Sequence, residues 1–471
     1  MTLRIRHVHP DAIPSTQLSL EALARVLSPT IVSDVLQECA AHEQRSRKLP
    51  AASVVLFCIA MNLYSTDCLT HVFFRLVSGL RWLLADHDDW RVSKGALSQA
   101  RYRLGARPLA VLFRRVCLNK PLAEPSTTPS AFLFGLRLMA LDSTVLDLPE
   151  TPENVRAFGR PASSRGTSAW PQARVVALSE CATHAICDAG IWRHDFDERS
   201  AGRRLLRRSA GRGTLLLWDR GFHSFEMVKA ALACGSELLG RLPATVKPKV
   251  LGTLADGTQL LALRPAAGGR QRHLLRGGEQ LTVRLIRYTL DDTDRPGHRV
   301  EHRLITSLLD PEHAPAEELV MCYHFRWEFE LAVDEMKSHQ RLPQEPLRSK
   351  KAVGVIQEIY GLLIAHYVVR AVMVEAARTV ELAPSRMSFT GTLRLIREMI
   401  PELQRTAAAD HPRLYQQLLA DIAATPLRPR TNRTNPRVVK RKMSKFRVKT
   451  ADHRHWPQPT KPFREAVVLL N

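Results

Sequence analysis

Three acidic residues stand where a rigid scaffold can present them to a cation. Asp142 ends the apolar run LRLMALD and is followed by the small residues Ser143 and Thr144. Asp219 ends TLLLWD and precedes Arg220, Gly221 and Phe222, with Gly221 permitting a turn into a helix that starts near Ser224. Both read as carboxylates at strand ends, held at a sheet edge where a metal ion can reach them. Taken singly, such an aspartate is more often a turn former or a helix cap. Glu330 lies in YHFRWEFELAVDEMK, where Tyr323, Arg326, Glu330 and Lys337 fall at offsets of 0, 3, 7 and 14 residues. At about 100° per residue these four share one helical stripe roughly 60° wide. Cys322, Phe325, Phe329, Ala332, Val333 and Met336 form an adjoining apolar face, while Glu328 and Glu335 point elsewhere. Asp334 stands one turn beyond Glu330 on the same stripe and is the alternative third acid. A solvated face laced with ion pairs gives the same pattern on a helix, so the weight rests on its combination with the two aspartates.

Carboxylates from separate elements suit hard divalent ions, which favour oxygen ligands and keep positions open for water and phosphate. Two such ions about 4 Å apart can activate an attacking oxygen and stabilise a leaving oxygen on a phosphodiester. Arg326 and Lys337 would neutralise nearby phosphates, and Tyr323 would donate a hydrogen bond to one.

The composition agrees with a polyanionic substrate. Lys and Arg outnumber Asp and Glu by 68 to 46, a net charge of +22, which makes nucleic acid the default partner. With 471 residues, 45% of them hydrophobic, the chain has material for two to four domains. The eight cysteines are scattered without a C-x-x-C pair, which argues against a structural zinc site and for small core residues in a reducing compartment. The N-terminus has no secretory apolar stretch. Residues 51–63 are too short to span a bilayer, and residues 352–373 are interrupted by Gln357, Glu358, His366 and Arg370, so both read as buried helices. The G-x-x-x-x-G-K-[ST] phosphate loop is absent, which disfavours a nucleotide-driven enzyme.

The elements that would position the acids follow from changes in texture. Residues 18–120 carry helical periodicity, and residues 1–125 read as an all-helical DNA-binding domain. Within it, Ser93 can cap a helix bearing Lys94, Gln99, Arg101 and Arg103 that resembles the second half of a helix-turn-helix, or equally a solvated basic helix. Residues 126–244 alternate short apolar runs with helical stretches such as 197–208, the pattern of a mixed sheet flanked by helices. Residues 245–299 alternate polar and apolar around Gly-containing turns and read as an antiparallel β-insertion. The core resumes over 300–400 with the strand HRLITSLLD and helices from about 314 to 341 and 349 to 378. Residues 401–471 hold a helical region and a basic tail, in which residues 425–449 include Arg437, Lys440, Arg441 and Lys442 and no acid.

The helix residues Tyr323, Arg326, Glu330 and Lys337 fit without a gap the signature Y-x2-R-x3-E-x6-K, and here the chain resembles the bacterial DDE transposases of insertion sequence family four. MALDSTVLDLPETPENVRAFGRP and LLLWDRGFHSFEMVKAAL resemble the family's two aspartate regions. The resemblance spans roughly residues 15–450, assigns Asp142 and Asp219, and favours Glu330 over Asp334. It implies an α/β, ribonuclease-H-like catalytic core and two Mg²⁺ or Mn²⁺ ions held by the three acids. It further implies binding to the terminal inverted repeats of an insertion sequence and to target DNA, cleavage, strand transfer, excision through a hairpin in some members, and a homodimer pairing two ends. Tyr323, Arg326, Lys337, Arg220, Lys94, Arg101 and the tail residues Arg437, Lys440, Arg441 and Lys442 are the expected DNA contacts. A cytoplasmic, nucleoid-associated location is expected. Ser143 departs from the family, which often has glycine there. Trp327 suits stacking on an unpaired base or packing at a helix edge, and His223 reads as an ordinary helix-start residue. The rival readings are a DNA-binding protein without chemistry, against which three intact acids argue, and a nuclease that cuts without joining.

Overall fold

The apolar run that begins at Leu136 does not stop at Asp142. In the computed structural model of the chain it continues as one strand of 12 residues, Leu136–Asp147. The structure describes residues 27–41, 49–77, 92–119, 121–163, 166–265, 279–295, 297–341, 345–428, 438–439, 447–451 and 455–470.

Among the described residues, five α-helices precede that strand: α1 (Pro29–Glu38), α2 (Ala51–Leu63), α3 (Leu69–Val77), α4 (Lys94–Leu104) and α5 (Arg107–Phe113). Ser28 and Ser93 cap α1 and α4 by accepting backbone N–H groups, at 3.3 and 3.2 Å. Helix α2 is apolar on every side and buried from Val54 to Leu63, which marks it as a core helix.

The sheet that follows is mixed. Besides the two-residue strand Phe132–Leu133, which pairs with the first of them, its strands are β1 (Leu136–Asp147), β2 (Gln172–Glu180), β3 (Ile186–Arg193), β4 (Thr214–Trp218), β5 (Glu237–Arg241), β6 (Lys249–Thr253), β7 (Gln259–Leu263), β8 (Leu281–Leu290), β9 (His302–Thr306) and β10 (Val467–Leu469). They lie in the order β3-β2-β1-β4-β5-β9-β8-β7-β6, with β10 paired to β8. Strands β1, β4 and β5 run parallel to their neighbours in that trio, and the remaining pairs are antiparallel. Helices α6 (Pro152–Phe158), α7 (Glu198–Ser209) and α8 (Phe225–Ala233) fall between the strands. The segment expected as a β-insertion is antiparallel, and β6, β7 and β8 continue the main sheet through β9.

The polar helix is not one continuous helix. It runs as α9 (Ala316–His324), a 3₁₀ turn at Phe325–Trp327, α10 (Glu328–Asp334) and a π-helical turn at Glu335–Gln340. The tighter 3₁₀ turn rotates Phe325 out of the apolar face expected for it, and its side chain is exposed. Helix α11 (Ala352–Thr379) is long and apolar enough to cross a membrane, but 83% of its most apolar window is buried inside the protein. Helices α2, α4 and α5 pack on one part of it, and α12 (Phe389–Arg405) and α13 (His411–Ala423) on another. The four polar residues that interrupt it have internal partners. Gln357 donates to the Arg101 and Gly105 carbonyls, Glu358 accepts the Arg348 and Ser349 N–H groups, and His366 and Arg370 meet Glu335. One hydrophobic cluster therefore runs from α1 through the sheet to α13, and α12 crosses the expected boundary at residue 400.

Gly361 lets α11 approach α2 closely: a Cβ there would stand 2.3 Å from the Cys58 carbonyl oxygen. Gly361→Ala is expected to destabilise the protein by about 1–3 kcal/mol, read as a lower midpoint of urea unfolding. The five cysteines Cys58, Cys117, Cys181, Cys187 and Cys322 are buried, and all eight are unpaired.

Candidate active site

Parallel pairing sets the two aspartates side by side. Leu141 of β1 is in register with Trp218 of β4, so Asp142 and Asp219, the next residue on each chain, emerge together. Asp219 follows the end of its strand as expected. Asp142 does not: it lies in mid-strand, because Ser143–Asp147 go on pairing with β2. Trp218 is fully buried against Gly240 of β5, where any Cβ would lie 2.3 Å from the indole nitrogen. That packing fixes the backbone from which Asp219 projects. The Gly221 N–H donates to Asp219 at 2.8 Å, and the Ser143 N–H donates to Asp142 at 2.7 Å.

Residues alternate across β1. Leu141 faces α7, 3.4 Å from where a Cβ on Gly202 would sit, whereas Asp142 faces the broken helix, where Arg326 Nη1 donates to it at 2.9 Å. The other Arg326 nitrogen lies 3.3 Å from Glu330, so one guanidinium bridges two acids. Lys337 reaches the same strand further along, donating to the Val145 carbonyl at 2.8 Å with Thr144 Oγ1 at 3.4 Å. Burial draws its ammonium below the ordinary lysine value. Asp142, Asp219, Arg326, Glu330 and Lys337 line one cleft of about 450 Å³, together with Ser143, Thr144, Phe329, Val333, Asp334 and Ser338.

Burial pushes the Asp142 carboxyl up to about 6; the Ser143 N–H and Arg326 oppose the shift, and the Asp219 and Glu330 charges add to it. A carboxyl raised above its usual 3.8 keeps a proton in the folded state that the unfolded chain has lost. Stability therefore falls as pH rises from about 4 to about 6. Without metal, Asp142→Asn is expected to stabilise the protein at pH 7 by about 1–3 kcal/mol and to do nothing of the kind near pH 4. Urea unfolding in chelator at the two pH values checks this.

The other candidates separate. Tyr323 donates to the Trp218 carbonyl at 3.3 Å rather than opening to solvent, and burial raises its phenol. Arg101 is buried, donating to Ser349 at 2.9 Å and to the Gly354 carbonyl at 2.8 Å. It holds α4 against α11 and is closed to DNA. Lys94 and Arg220 are exposed. Arg437, Lys440, Arg441 and Lys442 lie outside the described residues. Asp334 lines the cleft but is exposed, accepting from Ser338 at 2.6 Å with His339 at 3.4 Å. Trp327 is 48% exposed. Burial, with Arg199 and Arg303, lowers His223 to about 4, leaving it neutral.

Two contributors went unread in the sequence. Thr144 shares the Asp142 face, a consequence of strand alternation that extending the strand past Asp142 would have given. Glu198, opening α7, accepts the Ser143 hydroxyl and Arg174 Nη1, the latter at 3.0 Å; this gives the serine at 143 a partner that glycine would lack.

The cleft's donors are oxygens, and the mutual repulsion felt at Asp142 is what a divalent ion relieves, so the chemistry fits a hard cation. Among the described residues no three carboxylate, imidazole or thiol groups stand close enough to hold one ion. Arg326 occupies the place between Asp142 and Glu330.

Residues 17–114 match the family described as Insertion element 4 transposase N-terminal, and residues 133–368 match Transposase DDE domain. The chain is 29% identical over 446 residues to Transposase InsG for insertion sequence element IS4 of Escherichia coli (strain K12), covering 94% of each. It is 28% identical over 238 residues to Putative transposase InsZ of the same organism, 49% of this chain and 72% of that one. Among solved structures, a piggyBac transposase synaptic complex with hairpin DNA aligns with 88% of this chain and 86% of that chain, at a TM-score of 0.42 and 11% identity. The chain belongs to the DDE transposases of insertion sequence family four, a family that cleaves DNA, transfers strands and generally uses divalent metal ions.

Proposed function

We propose that this transposase cuts at the terminal inverted repeats of its insertion sequence and joins the freed ends to target DNA, with Asp142, Asp219 and Glu330 as its catalytic carboxylates. The observation that carries the reading is their meeting in one cleft with Arg326 and Lys337. The strand order β3-β2-β1-β4-β5, with β1 antiparallel to β2 and parallel to β4, supports a ribonuclease-H-like core.

The three acids would hold Mg²⁺ or Mn²⁺, as two ions, which when bound activate the attacking oxygen and stabilise the leaving oxygen. The remaining steps belong to the protein. Backbone N–H groups of Ser143 and Gly221 each fix one oxygen of Asp142 and Asp219, and the other oxygen of Asp142 accepts from Arg326. Arg326, part-buried between Asp142 and Glu330, is set to exchange a carboxylate for a substrate phosphate, which frees Glu330 to turn toward the aspartates. Lys337 tethers the π turn to β1 and so holds Glu330 over the strand. Arg220, exposed next to Asp219, and Lys94 on α4 would contact the DNA backbone, as would the basic tail. Because two ends must be held together, a homodimer is the working assembly, acting in the cytoplasm on nucleoid DNA.

The test is a reaction of the wild-type protein with DNA carrying the element's ends, in Mg²⁺ or in chelator. Cleavage at the ends and joined products that require metal support the reading. Cutting without joining would make the protein a nuclease, and binding without cutting would make it a DNA-binding protein.

A further inference from the structure

Helix α7 is divided between an apolar and a basic side. With Arg199 at zero, about 100° per residue places Arg203, Arg207, Arg204 and Arg208 between 0° and roughly 180°. The buried Ala201, Gly202, Leu205 and Leu206 fall in the other half. Arg208 is committed to the buried Asp188, at 2.6 Å. Of the other four, Arg199, Arg204 and Arg207 are exposed and Arg203 is part-buried. Arg199 lies 3.9 Å from exposed Asp197, Arg203 donates to the Ser200 hydroxyl at 2.9 Å, and Arg204 sits 5.0 Å from the centre of the Phe196 ring. Exposed pairs of this kind contribute little, so these guanidiniums can be turned to another anion at small cost. Arg199, Arg203 and Arg207 are spaced four residues apart, about 6 Å along the axis, in a single row.

The place of the row matters as much as its charge. It starts beside Glu198, which holds Ser143 next to Asp142, and from there follows the sheet face opposite the one that carries Asp142, toward Asp188 on β3. It also lies on the opposite face of the sheet from the N-terminal helices. On the edge strand β3, Cys187 interacts with Tyr367 of α11 and neighbours Cys117 just past α5, while the next residue, Asp188, turns to Arg208 of α7 and is also reached at 4.0 Å by Arg114, just past α5. Basic surface thus stands on both faces of the sheet that carries the cleft: α4 with Lys94 on one, α7 on the other.

We propose that Arg199, Arg203 and Arg207 bind phosphates of the duplex beyond the scissile position, on the flank away from the part held by the N-terminal helices. This rests on the reading above, in which the cleft cuts DNA. A row of guanidiniums without a base-reading element supplies affinity independent of sequence, as a flank of changing sequence requires.

Two duplexes separate the possibilities: an element end followed by two turns of flank, and the same end stopped at the cut. Replacing all three arginines by Gln is expected to weaken binding of the flanked duplex by about 10- to 100-fold and to lower its salt slope by about 2 to 3, near 0.9 for each phosphate no longer neutralised. Binding of the truncated end should stay as in the wild type. Equal affinity and slope for variant and wild type on the flanked duplex overturn the proposal, and so does an equal loss on both duplexes, which would place the row on the element itself. Arg207→Gln alone, at an exposed position, gives the same test should the triple variant not fold, with a slope change of about 0.9. Metal-dependent cutting by the wild type in the same preparation distinguishes failure of this proposal from failure of the catalytic reading.

Discussion

Glu330→Gln is expected to lower metal-dependent cleavage of element ends by at least about a thousandfold, in line with the cost of removing one member of a catalytic set, while binding of the same DNA persists. The substitution keeps the shape and one acceptor oxygen, so Arg326 retains a partner and the helix retains its place. What is lost is negative charge where divalent ions need it. Asp334→Asn is the comparator. It stands in the same cleft but bonds to Ser338 and His339, so it is expected to change cleavage by less than about tenfold. Rates on radiolabelled ends across a series of Mg²⁺ and Mn²⁺ concentrations, with binding measured in parallel, check both variants. Loss of cleavage in Asp334→Asn with retention in Glu330→Gln would exchange their roles.

Arg370→Met is expected to cost about 3–5 kcal/mol of stability, the penalty for stranding a buried charge. Arg370 and His366 of α11 and His184 in the β2–β3 turn all surround Glu335, the first residue of the π turn, with Arg370 Nε at 2.8 Å, His184 Nδ1 at 3.1 Å and His366 Nε2 at 3.3 Å. His184 also meets Glu328 at 2.5 Å, and its backbone adopts a φ of 58° to do so. Burial alone would raise the Glu335 carboxyl, but Arg370 and His184 outweigh it and hold it well below the usual value of 4.5. A depressed carboxyl contributes stability that is present above its unfolded value and lost as pH falls through the folded one. Wild type should therefore lose this contribution only in strong acid. In Arg370→Met the sign reverses: the uncompensated carboxyl penalises folding at neutral pH, and the deficit should shrink toward pH 5. Adding Glu335→Gln should recover much of the loss. Urea unfolding of the three proteins at pH 7 and pH 5 is the measurement, and a deficit independent of pH would count against this account.

The sequence yielded the acids but not all of their surroundings. Asp219 was legible because a glycine turn follows its apolar strand. Asp142 was placed at a strand end because the hydrophobic run stops there, yet β1 continues through S-T-V-L-D, whose half-polar alternation suits a strand with one face on a cleft. The four-residue stripe was found with a uniform helical period. The chain instead passes through a 3₁₀ turn and a π turn, and the over- and under-winding leave Arg326, Glu330 and Lys337 in one cleft while Tyr323 and Phe325 go elsewhere. Arg101 resembled a DNA contact because a lone arginine on a helix says nothing of the helix packed against it. The Glu335 cluster was hidden for a related reason. The helical spacing points Glu328 and Glu335 away from the polar stripe without giving them partners, and only the polar interruptions of 352–373 hint that α11 carries charges needing buried partners.

Helix α11 has a further bearing on how such a protein can change. It contributes at once to the packing of α2, α4 and α5 and, through Arg370, to the seat of the π turn beside Glu330. The part that would choose the DNA and the part that would cut it are thus built around one shared beam. Swapping the N-terminal helices for those of a distant relative would replace half of a jigsaw whose other half is fixed. New end recognition in this lineage is accordingly easier to reach by exchanging exposed side chains than by trading whole segments.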